Sequence, residues 1–345
     1  MPGSIVYNYF NSAAKTRNRC QRIVVNPNQP QAMTLTLRPL AFDFLARQPV
    51  YFPPGKAANV IRGALGSHLK HSSCIPECSD ARVCPLRAAC TYSRLFEPSA
   101  IGAGPSGFAD SPRPFVLRVS HLDGQRFPAG QCFRVGLNLF DLHPHAPLHL
   151  IRALSRLVDS GLGPGRGAVS LQSVSILDEG GCVLQTIFQD DQMLPLDQLA
   201  ALDISFVPPS SSPSALRVDF LTPADIKGRD HVPNSPPTFV TLFARARDRI
   251  SNLTRLYGSG ALDLNYTGLG TEAAAVTMLS ADIRNISTDR FSIRKHQSHP
   301  LGGLLGHCIY QGQFQPFLPF LNAARWTGVG KYTVWGNGEI SISPV

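Results

Sequence analysis

The chain has 345 residues, 43% hydrophobic and 16% charged, with a formal net charge of +9 and a pI near 9.3. That length exceeds one small core and suits two domains. No apolar run spans a bilayer and no secretory signal core opens the chain, so a cytoplasmic protein with an anionic partner and no membrane association is expected.

Residues 1–32 carry Lys15, Arg17, Arg19 and Arg22 and no acid. Polar and aperiodic, they read as a disordered basic leader or as sequence ahead of a genuine start at Met33; an RNA-binding arm is the competing reading. Thr34–Leu40 opens the first strand. A turn at Tyr51-Phe-Pro-Pro-Gly55-Lys56 leads into a helix from Ala57 to about His71, with Ile61, Leu65 and Leu69 on its buried face. On that phase His68 points into the apolar face as a structural histidine. His71 falls at the edge, where it reaches a cleft, with Tyr51, Lys56 and Lys70 near in sequence.

Cys74, Cys78, Cys84 and Cys90 place half of the eight cysteines in seventeen residues, spaced C-x3-C-x5-C-x5-C. In a reducing compartment clustered thiols point to a soft metal instead of disulfides. Structural zinc is the first reading and an iron–sulfur cluster the second, because both take four thiolates and leave no position open for catalysis. Cys20, Cys132, Cys182 and Cys308 are scattered and read as small apolar residues.

A Gly/Ser/Pro linker at 98–112 is followed by strands at Arg113–Val119 and Gly130–Phe140 and a helix at Pro147–Val158. A glycine-rich loop, Gly161–Gly167, carrying Arg166, and a strand at Ala168–Ile176 complete a βαββαβ order. Beyond a hairpin-like segment, residues 207–214 form a Pro/Ser linker and the order repeats. Leu216–Leu221 is a strand ending at Thr222-Pro223, Thr238–Tyr257 a helix, about 278–294 and 303–311 a strand pair, and Phe314–Trp326 a short helix. Then comes Gly328-Val-Gly330-Lys331-Tyr-Thr-Val-Trp-Gly336-Asn-Gly338 and a last strand, with Tyr332, Val334, Ile340 and Ile342 favouring strand. The expected fold is α+β, two tandem ferredoxin-like units: residues 33–206, with a cysteine-rich insertion at 74–90, and residues 215–345.

The spacing G-x-G-x5-G-x-G with Lys331 inside it suits a loop laid against phosphate and ribose. Paired carboxylates and a nucleotide-binding P-loop are missing, which excludes kinases and two-metal nucleases. Histidines fit proton transfer near neutral pH; besides His68 and His71, the groups His143, His145, His149 and His296, His299, His307 are to be weighed.

The closing helix, glycine loop and strand resemble the signature of the CRISPR-associated RAMP superfamily, specifically its precursor-RNA processing endoribonucleases. So do Phe52-Pro-Pro-Gly with Ile61-Arg62-Gly-Ala-Leu-Gly66, the cysteine cluster followed by Tyr92 and Leu95-Phe-Glu97, Leu221-Thr-Pro223, Arg290-Phe-Ser-Ile-Arg294-Lys295, and Leu301–Gly312. The resemblance covers Met33 to the end. It implies metal-independent cleavage of the CRISPR repeat transcript into guide RNAs by 2′-OH attack, leaving a 2′,3′-cyclic phosphate and a 5′-hydroxyl. In that reading His71 is the favoured proton carrier, with His68 and Tyr51 beside it, and RNA lies on Gly328, Gly330, Lys331, Gly336 and Gly338 with Arg62, Arg166, Arg294 and Lys295. The implied partners are precursor and mature guide RNA and other CRISPR effector subunits. The alternative function is a repeat-RNA-binding effector subunit that does not cleave.

Overall fold

Apolar alternation along Thr34–Ala46 (β1) builds a thirteen-residue strand whose two ends serve different cores: Leu35 and Leu37 enter the second, and Leu40, Phe42, Phe44 and Ala46 the first. The computed structural model describes residues 33–75, 77–98, 111–227, 235–287, 289–292, 297–300 and 302–345. After β1 come β2 (Val50–Tyr51), α1 (Ala57–Ser73), α2 (Thr91–Leu95), β3 (Phe115–Arg118), β4 (Arg126–Phe127) and β5 (Cys132–Leu139). There follow α3 (Ala146–Ser155), α4 (Leu157–Ser160), β6 (Val169–Leu177), β7 (Val183–Gln189), β8 (Gln192–Met193) and β9 (Leu202–Ser205). The second half holds β10 (Ala215–Ala224), α5 (Phe239–Tyr257), α6 (Tyr266–Ala274), β11 (Thr277–Ile286), β12 (Asp289–Ser292), β13 (Gln297–Pro300), β14 (Gly303–Gln311), α7 (Leu318–Thr327) and β15 (Ile340–Pro344).

The first sheet has the order β3-β5-β1-β6, extended by β7 and β8, and the second the order β11-β14-β10-β15. Numbering the four principal strands of each unit one to four, both read 2-3-1-4, the ferredoxin-like order expected from βαββαβ. Helices α1 and α3 cover the first sheet, and α5 and α7 the second.

The cores are not divided at residue 206. Leu35, Leu37, Val116, Phe140, Ile204 and Phe206, all ahead of the linker, are buried in the second core, while Val334 is buried in the first. Several elements also differ in detail from the sequence reading. The helix at 147–158 is split at Arg156 into α3 and the single turn α4. The long strand near 278–294 is β11 followed by the hairpin β12–β13, and α6 and the short pair β2–β4 carry no strong periodicity. The leader 1–32, most of the linker 98–112, Arg294, Lys295 and His296 lie outside the described residues.

Three consecutive carbonyls at the end of α7 tie the units together. Arg118 Nη2 donates to Arg325 O (2.6 Å) and Trp326 O (3.1 Å), and Asn138 Nδ2 donates to Trp326 O (2.9 Å), all from the first sheet. From α5, the buried Arg249 donates Nε to Thr327 O at 2.8 Å. These are the carbonyls a helix C-terminus leaves without partners, and its partial negative charge suits cations. Burial and the neighbouring Arg118 charge press Arg249 down to about 9, so it stays charged at neutral pH. Arg118→Met, which leaves Arg325 O without its donor, should cost about 2–3 kcal/mol, read as a lower denaturation midpoint. Arg82→Met, removing an exposed ion pair, should leave that midpoint in place.

Candidate functional site

The glycine loop is a folded turn stapled to β10. Gly338 N donates to Pro223 O (3.0 Å), Lys331 N to Asp225 O (3.0 Å) and Val329 N to Gly338 O (2.8 Å). Buried Thr222 acts twice: its hydroxyl donates to Gly336 O (2.7 Å) and accepts from Glu339 N (2.9 Å). Between these staples Tyr332 is left-handed (φ 60) and Thr333–Trp335 form a single 3-10 turn, not the strand that Tyr332 and Val334 suggest. Closing so short a turn requires positive φ at Gly336 (φ 78) and Gly338 (φ 70). A Cβ on Gly336 would lie 2.6 Å from Leu117 O, and one on Gly338 would strike Val329 O. These glycines therefore admit the protein's own backbone.

A cavity of about 150 Å³ opens where this loop meets the start of α1. Its walls are Gly55, Ala58 and Asn59 from the α1 end, Ser120 and Asp123 from the turn after β3, Thr222 and Pro223, and Trp335, Gly336 and Asn337. Asp123 accepts from Ala57 N at 2.9 Å and so caps α1 from a distant turn. Burial pushes its carboxyl above the ordinary range, opposed by the N–H donors of Ala57 and Lys56 and by nearby His121. The site thus joins an indole face, amide and hydroxyl groups and one carboxylate shifted toward neutrality, which is a set suited to a base, a sugar hydroxyl and a proton transfer.

A family model described as an N-terminal domain matches residues 35–201, and the model of CRISPR-associated endoribonuclease Cas6 matches residues 218–340. Residues 218–340 thus form a Cas6-type domain. Among solved structures it is similar to a Cas6 product complex, with 15% identity, TM-score 0.50, and coverage of 90% of this chain and 100% of that one. Thermus thermophilus Cas6 gives the same four values, 15%, 0.50, 90% and 100%. A partial Cas6-RT-Cas1–Cas2 complex gives 12% identity and TM-score 0.51 over 91% of this chain and 46% of that one. No curated protein matches. The tandem ferredoxin-like fold is common to these structures.

Of the sequence-predicted residues, Gly336 lines the cavity and Arg62 packs on Trp335 beside it, whereas the two histidines of α1 lie elsewhere. The buried stripe of α1 is Ala57, Ile61, Leu65 and Leu69, in steps of four, so His68 lies beside it, half-exposed, with Nε2 2.7 Å from Ser160 Oγ. Partial burial, with Arg156 and His71 nearby, holds His68 below its ordinary value. His71 is exposed. Ten residues separate Ala58 from His68, about 15 Å along the helix, so neither ring reaches the cavity. Tyr51 lies under Arg126, whose guanidinium carbon is 3.8 Å from the ring centroid, and Arg166 stands exposed in the turn packed on Tyr51 and Pro49. Arg62 is held between the rings of Phe96 (4.6 Å) and Trp335 (4.2 Å). Lys331 is exposed beside the loop. Sequence reading did not single out Asp123, Ser120, Asn59 or Asn337, none of which stands in a pattern of its own.

The cysteines end up side by side. Cys74 makes thiol contacts with Cys78 and Cys90, and Cys78 with Cys84; burial, then Cys90 and Cys78, push the Cys74 thiol up to about 12. The pairwise contacts form one continuous cluster, although among the described residues no three His, Cys, Asp or Glu side chains are disposed around a common point as an ion requires. Thr222→Val, which deletes both loop staples, should cost about 1–3 kcal/mol. Gly338→Ala should also destabilise, whereas Gly165→Ala, with open space around it, should not; thermal melts of the three variants check this ordering.

Proposed function

We propose that this Cas6-type endoribonuclease, which processes CRISPR repeat RNA, cuts it at the cavity between α1 and the glycine loop, by 2′-OH attack and without a metal ion in the reaction. The observation that carries this is the cavity itself, the one place where the end of α1, the Asp123 turn and the glycine loop converge. The 2′-oxygen loses its proton, bonds to the adjacent phosphorus and expels the 5′-oxygen, which takes up a proton. Among the described residues of the wall Asp123 is the one ionisable side chain, and burial raises its carboxyl above the ordinary value. Trp335 offers a stacking face, and Asn59, Ser120 and Asn337 offer hydrogen bonds that hold the ribose and phosphate in line. The net charge of +9, with Lys56, Arg126 and Lys331 on surrounding segments, supplies attraction to the backbone.

The histidine reading, with His71 or His68 and Tyr51 as the proton carriers, requires the scissile phosphate at the opposite end of α1. Single-turnover cleavage separates the two. Asp123→Asn and Trp335→Ala should slow cleavage about a hundredfold with the fold retained, while His71→Ala should change it little; the reverse ranking places the chemistry at the histidines. Cleavage should proceed in EDTA, yield a 2′,3′-cyclic phosphate and stop on 2′-deoxy substitution at the scissile nucleotide. Tight binding with no cleavage under any of these conditions would replace the enzyme by a repeat-RNA-binding subunit. One similar structure belongs to a complex with RT, Cas1 and Cas2, which supports association with further CRISPR proteins.

The four thiols suit a structural metal ion by donor chemistry, and binding one would draw them around a common point. Zinc held by Cys74, Cys78, Cys84 and Cys90, or an iron–sulfur cluster in its place, would cross-link the segment between α1 and α2. Freshly reduced protein should carry about one such metal site per chain, lost with thermal stability in Cys78→Ser; finding neither zinc nor iron overturns this assignment.

A further inference from the structure

A file of packed side chains runs from α2, the helix that follows the cysteine segment, to the cavity. The backbone carbonyl of Cys90 accepts from Arg94 N at 3.0 Å and starts α2, which delivers Tyr92 and Phe96, stacked at 5.7 Å. Phe96 is fixed on its other sides: its ring stacks on Phe115 at 5.7 Å, Arg113 Nε donates to its carbonyl at 2.6 Å, and an added Cβ on Gly66 would come within 2.5 Å of its ring. Over that ring lies the Arg62 guanidinium, whose opposite face meets Trp335, a wall of the cavity.

We propose that Arg62 is a positioning residue that transmits the state of the cysteine segment to Trp335, so that ordering or disordering the thiols sets the shape of the RNA-cleavage cavity. A guanidinium is planar and presents two faces, so it couples two rings as no apolar side chain of similar length does. Because the file is packed without a flexible break, movement of Phe96 changes the face on which Arg62 rests, and Arg62 moves Trp335. Gly66 lets the Phe96 ring seat directly on α1, so the ring is held against the helix that carries Arg62. The RNA consequence rests on the function proposed above; the coupling itself does not.

The experiment uses the full chain with Trp326→Phe, which leaves Trp335 as the sole tryptophan of two. Without RNA, Cys90→Ser should red-shift Trp335 emission, Arg62→Met should shift it as well, and the combination should shift it no further than Arg62→Met alone. Arg62→Lys, which keeps a cation, should partly restore the wild-type spectrum. With repeat RNA, Cys90→Ser should weaken binding about fivefold in the Arg62 chain and leave it unchanged in the Arg62→Met chain. Independent, additive shifts, or an emission indifferent to Cys90→Ser while Arg62→Met moves it, would overturn the coupling. Should Cys90→Ser fail to fold, Phe96→Leu cuts the same file without touching a thiol and must obey the same non-additivity. A coupled spectrum with RNA binding unaffected would retain the relay and reject the cavity as the RNA site.

Discussion

The end of α7 is the constraint on which the arrangement depends. Its last carbonyls find donors in both units, Arg118 and Asn138 from the first sheet and Arg249 from α5, and the bond to Thr327 O is fully buried. Two buried guanidinium groups near each other are unfavourable, and both are depressed by burial. What offsets the cost is the concentration of negative charge there: three carbonyls, the helix terminus and Glu339, 3.6 Å from Arg118. Removing one partner strands the others, so the lock is strong in the sense that its parts are mutually dependent.

The lock also decides where the glycine loop falls. Gly328, with φ 70, ends α7 immediately after the third carbonyl. The chain must then reach β15 beside β10 while passing the first unit, where Val334 is buried and Gly336 lies against Leu117 O. A loop crossing two bodies at that distance has little freedom, and Thr222 takes up what remains. The wall of the cavity is thus held by the same contacts that join the two cores.

Much of the architecture was legible because it is written in local periodicity. The 2-3-1-4 order follows from strand and helix patterns that each stretch carries alone, and the glycine spacing placed a loop between the last helix and the last strand. The site was less legible because its parts touch across long separations. Asp123 is a single acid in a turn with no pattern around it, yet it meets Ala57, 66 residues away. His68 and His71 drew attention as residue types suited to proton transfer, but a helix gives each residue an axial position as well as a phase, and theirs is remote from the loop. Tyr332 and Val334 have strand composition; the staples from Thr222 and Pro223 override it with a left-handed residue and a 3-10 turn.

The glycines separate two meanings that one motif can carry. Where a ligand's backbone approaches, the space opposite the glycine is empty until the ligand arrives. At Gly336 and Gly338 that space already holds the carbonyls of Leu117 and Val329. The loop therefore presents to a bound molecule not its glycines but the residues they force outward, Trp335 and Asn337, both in the cavity wall. Recognition by an indole and an amide is sequence-tolerant on one face and polar on the other, the combination that grips an unstacked nucleotide by its base while leaving its sugar edge open to chemistry. It follows that the loop's conformation and the groups it presents are separable, the first belonging to the glycines and Thr222 and the second to the side chains between them.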